Sequence, residues 1–208
     1  ARCCPLSIRR GDRSPTFTAD TTQGVLSFHD WKEGAWAVLF SHPADFTPVC
    51  TTELGRTAAL SGEFAARNAK AIAVSVDSVE DHLRWVPDIA EVAGVDVDFP
   101  IIADEDRSVS QAYDMIHPGE GDTSTVRSVF LIDPSNTVRL TITYPKSVGR
   151  NFTEILRVLD ALQATDRAPI STPAEWVPGD RVIVAPAIAT DDARERFAFG
   201  QREVLVVV

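Results

Sequence analysis

The sequence predicts an α/β protein built on a mixed β-sheet. Short apolar runs that read as buried strands alternate with stretches of helical periodicity, and the alternation closes on a hairpin and a last helix. The chain has 208 residues, of which 44% are hydrophobic and 24% charged, which suits a chain that buries an ordinary core. At roughly 150 residues per domain, this is one domain, or one domain with an appendage.

Residues 35–41 (AWAVLFS) form the first short apolar run and read as a buried strand. A proline-flanked loop follows over 42–48, then a predicted helix over 49–68. Residues 70–76 (KAIAVSV) read as a second buried strand, 79–92 as a helix, 99–103 as a third strand and 107–113 as a short helix. The runs 128–132 and 137–144 flank Asp-Pro-Ser-Asn, which is turn chemistry, so they are expected to pair as a hairpin. In 151–162, Phe152, Ile155, Leu156, Leu159 and Leu162 recur at helical spacing. Asn151 and Glu154 fit a capping box there, with Asn in place of the usual Ser or Thr. Residues 165–173 (TDRAPISTP) read as a linker. Residues 176–208 are too few for a core of their own and are expected to pack on the main domain or on a second subunit. No internal repeat is visible.

Twenty Lys and Arg against 30 Asp and Glu leave a formal charge of −10. That balance argues against a protein that binds nucleic acid phosphates or is held to an anionic membrane. Apolar runs such as 204–208 fall far short of the roughly 20 residues a bilayer span needs. Cys3, Cys4 and Cys50 are too few, and odd in number, for a secreted disulfide scaffold. No CxxC, HxH or HExxH spacing occurs, so no metal site is read. The start lacks the apolar core of a secretory signal, and a reducing, cytoplasmic location is expected. Ala1 in place of Met, with Arg2, Arg9, Arg10 and Arg13 nearby, keeps an organelle reached by way of a removed leader as the alternative.

The segment Pro43-Ala44-Asp45-Phe46-Thr47-Pro48-Val49-Cys50 carries the chemistry. Thr47 suits a helix N-cap and Pro48 the first helical position, which sets Cys50 in the first turn. Unpaired N–H groups and the positive end of the helix dipole favour a thiolate there. Such placements lower a cysteine pKa from about 8.5 into a range of about 3.5–7.5. By itself a lone Cys near a helix start reads as a small buried hydrophobe; the surrounding pattern argues for a nucleophile.

Pro-x-x-x-Thr-x-x-Cys after an apolar strand resembles the active-site motif of the peroxiredoxins, and SHPADFTPVCTTELGR (41–56) resembles their one-cysteine (1-Cys) branch. The likeness continues through VDSVEDHLRW (76–85), FPIIAD (99–104), YPKSVGRNFTEILRVLDALQ (144–163) and PAEWVPGDRVIV (173–184), and covers about residues 6–200. It implies a thioredoxin-like fold, with a mixed central sheet flanked by helices over 6–164 and a small C-terminal segment over 173–208. The implied activity is a thiol-specific peroxidase acting on hydrogen peroxide and organic hydroperoxides. Cys50 would be the peroxidatic cysteine that becomes sulfenic acid. Thr47 would hydrogen-bond the thiolate and the peroxide, and Pro43 would shield the sulfur. Arg127 would stabilise the thiolate and the developing charge. His42 would stand near the sulfur, and Glu53 and Arg150 would orient Arg127. The sulfur is itself the redox centre, so no cofactor and no metal is implied, and an external thiol restores it. The C-terminal segment resembles one that crosses to a partner, which implies a homodimer or an assembly of dimers.

Nothing after Cys50 is Cys, and Cys3 and Cys4 sit at the start of the chain, so a resolving role for them is not expected. A thioredoxin-type disulfide exchanger fails on spacing, since Glu53 stands where a second cysteine would be needed. A peroxide sensor or a holdase chaperone on the same fold remains the alternative. Some members of the branch also carry a lipase-like Gly-x-Ser-x-Gly with an Asp. Here Ala35 stands at the serine position and Ser135 at the acidic one, so His29 lacks both partners and no such activity is implied. His82 and His117 have no partner visible in the sequence.

Overall fold

A computed structural model describes residues 8–121 and 123–184, and the chain divides into two compact units, Ala1–Arg150 and Asn151–Val208. Cys3, Cys4 and residues 185–208 lie outside the described residues.

The first unit is organised by β3 (Trp36–Ser41), β4 (Ala69–Ser75), β5 (Ile101–Ala103), β6 (Arg127–Ile132) and β7 (Val138–Tyr144). β3, β4 and β5 run parallel, while β6 lies antiparallel to β3 and to β7. Every residue of β3 and of β6 is buried. A strand covered on both faces reads as an unbroken apolar run, which is why these segments stood out without alternation. Along β3, Ala37 and Leu39 join one buried cluster with Ile72, Val74, Phe130 and Tyr113, while Val38 and Phe40, on the other face, are buried as well.

Two strands of this unit were not foreseen, and neither was the pairing of Ile170–Ser171 with Ile183–Val184 in the second. β1 (Thr18–Thr21) and β2 (Gly24–Ser27) pair as a hairpin and extend the sheet through β5, giving the order β2-β1-β5-β4-β3-β6-β7. Each has four residues and is largely solvent-facing, so no apolar run marks it. Its turn is closed by Thr21 Oγ1 donating to the Gly24 carbonyl, with Gly24 at a φ of 97°. The five-residue helix α1 (Phe28–Lys32) follows.

The helix expected over 49–68 is two helices, α2 (Pro48–Ala59) and α3 (Ser61–Ala66). The break falls at Leu60 (φ −100°, ψ 8°), just before Ser61 and Gly62, two weak helix formers. α4 (Val79–Ala93) starts on Ser78, whose hydroxyl accepts from the Asp81 N–H, and ends at Gly94 in the left-handed region. α2 and α4 approach closely at Gly55, where a Cβ would stand 3.4 Å from the Ala93 Cβ. The short helix α5 (Ser108–Ala112) completes this unit's α-helices among the described residues.

In the second unit, α6 (Phe152–Arg167) begins as expected, with Asn151 Oδ1 accepting from the Thr153 and Glu154 N–H groups. It runs five residues past the predicted end, into the stretch read as linker, and Leu162 is only half-buried while Ala161 is buried. β8 (Ile170–Ser171) then pairs antiparallel with β9 (Ile183–Val184). Among the described residues no helix is long and apolar enough to cross a membrane.

Candidate active site

The loop between β3 and α2 delivers Cys50. β3 ends at Ser41, residues 42–47 turn, and α2 starts with Thr47 as N-cap and Pro48 at its first position. Thr47 occupies the N-cap position without a side-chain cap bond, and its carbonyl accepts the first helical bond from the Thr51 N–H at 3.0 Å. The Thr47 hydroxyl instead donates to the Ala44 carbonyl at 3.0 Å and pins the loop. Cys50 is a free thiol, fully buried, in the first turn of α2.

Arg127 opens β6 and reaches across to α2. Its Nη1 lies 3.3 Å from Cys50 Sγ and 2.6 Å from Glu53 Oε2, and its Nε donates to the Lys146 carbonyl at 2.8 Å. Glu53 follows Cys50 by three residues on α2, so helical spacing sets both on the face that meets Arg127. Arg150 completes the set. Its backbone N–H and Nε donate to Glu53 Oε1 at 2.7 and 3.0 Å, and its Nη2 to Oε2 at 2.6 Å. Its Nη1 donates to the carbonyls of Ser41 and Ser128, and its guanidinium lies 4.9 Å from the centre of the Phe40 ring.

The electrostatics follow from this count of charges. Burial alone would raise the Glu53 carboxyl, but the charge and hydrogen bonds of Arg150, then the charge of Arg127, hold it below its ordinary value. Burial lowers Arg150, opposed by the same Glu53. Two guanidinium groups against one carboxylate leave one positive charge in a dry site beside the Cys50 sulfur. A sulfur anion held beside a fixed guanidinium is suited to attack an electrophile and to stabilise the negative charge that leaves.

Cys50, Glu53, Arg127 and Arg150 therefore meet directly, although β6 and the 145–150 segment are far from α2 in sequence. Thr47 and Pro43 are half-buried in the same loop. His42 is fully buried, with Nε2 2.8 Å from Asp45 Oδ1 and Nδ1 without a hydrogen-bond partner among the described residues. Sequence reasoning missed two members of this region. Asp45 lies inside the motif, and its i, i+3 spacing from His42 was visible. His82, on α4, carried no signal, yet it is fully buried with Nδ1 2.6 Å from Asp45 Oδ2.

The lipase-like positions are elsewhere in this unit. The Lys32 ammonium is buried against the carbonyls of Ala35, Asp133 and Pro134, and His29 Nε2 pairs with Ser14 Oγ at 3.0 Å.

Residues 10–141 match the profile of the AhpC/TSA family and residues 161–198 that of the C-terminal domain of 1-Cys peroxiredoxin. The chain is 49% identical to the 1-Cys peroxiredoxin of Dictyostelium discoideum over 193 residues, which are 93% of this chain and 80% of that protein. Among solved structures, a Cys-to-Ser mutant of the peroxiredoxin 6 of Arenicola marina superposes with a TM-score of 0.88 at 47% identity, covering 93% of this chain and 90% of that one. A yeast mitochondrial 1-Cys peroxiredoxin, solved for its thiol resolving mechanism via glutathione/thioredoxin systems, gives a TM-score of 0.86 at 49% identity over 91% of this chain and 92% of that one. The mixed sheet flanked by helices is thus the thioredoxin-like fold that the motifs implied. With one profile spanning most of the chain and relatives near half identity along nearly all of it, this chain belongs to the peroxiredoxins of the AhpC/TSA family, in their 1-Cys branch, and is a thiol peroxidase.

Proposed function

We propose that Cys50 is the peroxidatic cysteine and that Arg127, Thr47, Pro43 and His42 complete its site, with Glu53 and Arg150 orienting Arg127. The Cys50 thiolate attacks one oxygen of the hydroperoxide, the O–O bond breaks, and the second oxygen leaves as hydroxide or alkoxide and takes up a proton. The sulfur is left as sulfenic acid. Arg127 faces the reacting sulfur and the charge developing on the leaving oxygen. Thr47, whose proton is given to Ala44, has oxygen lone pairs left to accept the proton of a bound peroxide. Pro43 limits water at the sulfur.

One observation carries this reading: the Arg127 guanidinium 3.3 Å from a buried Cys50 sulfur in the first turn of a helix. The sulfenic acid condenses with an external thiol, releasing water, and a second thiol frees Cys50 by disulfide exchange. A thiol of the glutathione or thioredoxin type fits this step, as in the system named for the yeast neighbour. The working compartment is then a reducing one, cytoplasmic or within an organelle.

Stopped-flow tryptophan fluorescence of the reduced protein mixed with hydrogen peroxide tests the assignment, since the chain holds four tryptophans. The expected result is a fast second-order change that Cys50→Ser abolishes. A response in the mutant equal to that of the parent sinks the role of Cys50. A parent rate no faster than that of a free thiol sinks the site as a whole.

A further inference from the structure

Three fully or nearly fully buried side chains form a string beside the site. Asp45 Oδ1 lies 2.8 Å from His42 Nε2, Asp45 Oδ2 lies 2.6 Å from His82 Nδ1, and His82 Nε2 lies 3.1 Å from the Ile102 carbonyl. Potential donor atoms of the three residues fall within 4.8 Å of one another, as at a metal centre. The spacing speaks for protons instead. Nitrogen and oxygen at 2.6–2.8 Å share a hydrogen bond. Two ligands of one tetrahedral zinc ion, each about 2.0–2.1 Å from it, would stand about 3.3 Å apart.

The hydrogen-bond directions assign the protons. Both ring nitrogens of His82 face oxygen atoms, one of a carboxylate and one of a main-chain carbonyl, which is the hydrogen-bond pattern of a ring that donates from both nitrogens. Asp45 is its counter-charge. His42 then donates from Nε2 to the other carboxylate oxygen, which leaves Nδ1 without a proton. Facing these groups from neighbouring elements are Asp77, whose Oδ2 accepts from the Asp45 N–H at 3.0 Å and from Ser75 Oγ at 2.8 Å, and Arg150, whose charge acts on His42.

This string ends in the loop that carries Pro43 and Thr47. Phe46, between Asp45 and Thr47, has a φ of 56°, a left-handed backbone that an aromatic residue adopts only under constraint, and the residue is 51% exposed. The constraint sits next to it in Asp45, bound to His82 of α4 and, through its N–H, to Asp77 after β4. We propose that Asp45 and His82 are positioning residues of the peroxidase site, an ion pair that latches residues 42–47 in the turn presenting Pro43 and Thr47 and that fixes the proton of His42 on Nε2. The proposal rests on the assignment of Cys50 and its loop made above.

The test has two arms, both in a Cys3→Ser, Cys4→Ser background. In the reduced, 15N-histidine-labelled protein at neutral pH, one ring shows both nitrogens at imidazolium shifts, and His82→Gln removes that ring's signals. A neutral His82 ring overturns the proposal without any variant having to fold. In the second arm, Asp45→Asn and His82→Gln lower the second-order rate with hydrogen peroxide by about 10- to 100-fold, the cost of misplacing a positioned group by about 1 Å. Alkylation of Cys50 by iodoacetamide, which needs the thiolate but not the loop, stays within about two-fold of the parent. Unchanged peroxide rates in folded variants overturn the latch, and so does an equal loss in both assays, which reports a damaged helix rather than a misplaced loop. A parent protein that is slow with peroxide, or a Cys50→Ser protein that is not, would instead undo the underlying assignment.

Discussion

At the scale of single residues, Glu53 is the pivot of the site. Its two carboxylate oxygens accept from Arg127 once and from Arg150 three times. Neither guanidinium would keep its place in a buried site without that shared anion. Arg127 in turn uses its planar fork on three partners at once: sulfur, carboxylate and the Lys146 carbonyl. A lysine is a point charge on a flexible stem and cannot span them. Arg127→Lys is therefore expected to lower the peroxide rate by about 10²- to 10³-fold, the usual cost of losing one preorganised donor. Stopped flow checks this, and a rate within two-fold of the parent would mean that charge alone suffices. The sequence named all four charged or nucleophilic members of this cluster, because the motif around Cys50 and the segments around Arg127 and Arg150 are long. It did not name Asp45 and His82, because an interior ion pair between residues 37 apart leaves no periodic trace.

At the scale of elements, apolar strands and capped helices were read to within a few residues, and the failures have physical causes. β1 and β2 are short and half-solvated, so neither alternation nor an apolar run marks them. The α2–α3 break turns on Leu60, Ser61 and Gly62, where weak local propensity decides and hydrophobic spacing is silent. The close approach of α2 and α4 makes a sharper statement. At Gly55 a Cβ already meets Ala93 at 3.4 Å and the Ile89 carbonyl at 3.6 Å. Gly55→Leu forces the helices apart and is expected to cost about 1–3 kcal/mol by overpacking, read as a lowered urea midpoint. Because α2 carries Cys50 and α4 carries His82, the same variant should slow the peroxide reaction; an unchanged midpoint and rate would mean that the contact is not tight.

At the scale of the whole molecule, buried charge ties stability to pH. His42 and His82 hold the Asp45 carboxyl at about 2 against an ordinary value of 3.8, overcoming the burial that alone would raise it. A depressed carboxyl stabilises the fold fully above its ordinary value and loses that contribution as pH falls through its folded one. The stability gap between the parent and Asp45→Asn should hold steady above pH 3.8 and close as pH approaches about 2, measured by urea unfolding across that window. A gap that persists at pH 2 would show that the carboxylate charge is not its source. Glu53, also held low, adds acid sensitivity in the same direction. Assembly belongs to this scale too. The C-terminal segment that suggests a homodimer runs into residues outside the described structure, so size exclusion with light scattering is the direct check. A dimer or larger species is expected, and a clean 22.7 kDa monomer would defeat it.

The sequence by itself determined the fold class, the helix start that carries Cys50, and the family, because these rest on local patterns: apolar runs, an N-cap followed by proline, and long contiguous motifs. Only the tertiary structure showed how the charges of the site contact one another and added Asp45 and His82 beside them. Arg127 reaches a sulfur 77 residues away and Arg150 a carboxylate 97 residues away, because the sheet returns distant segments to one end: β6, antiparallel to β3, begins where β3 finishes, and β7, antiparallel to β6, ends there too. His82 meets Asp45 for the same reason. Burial then makes these few contacts decisive, since in a dry interior a charge must find its partner or cease to be a charge.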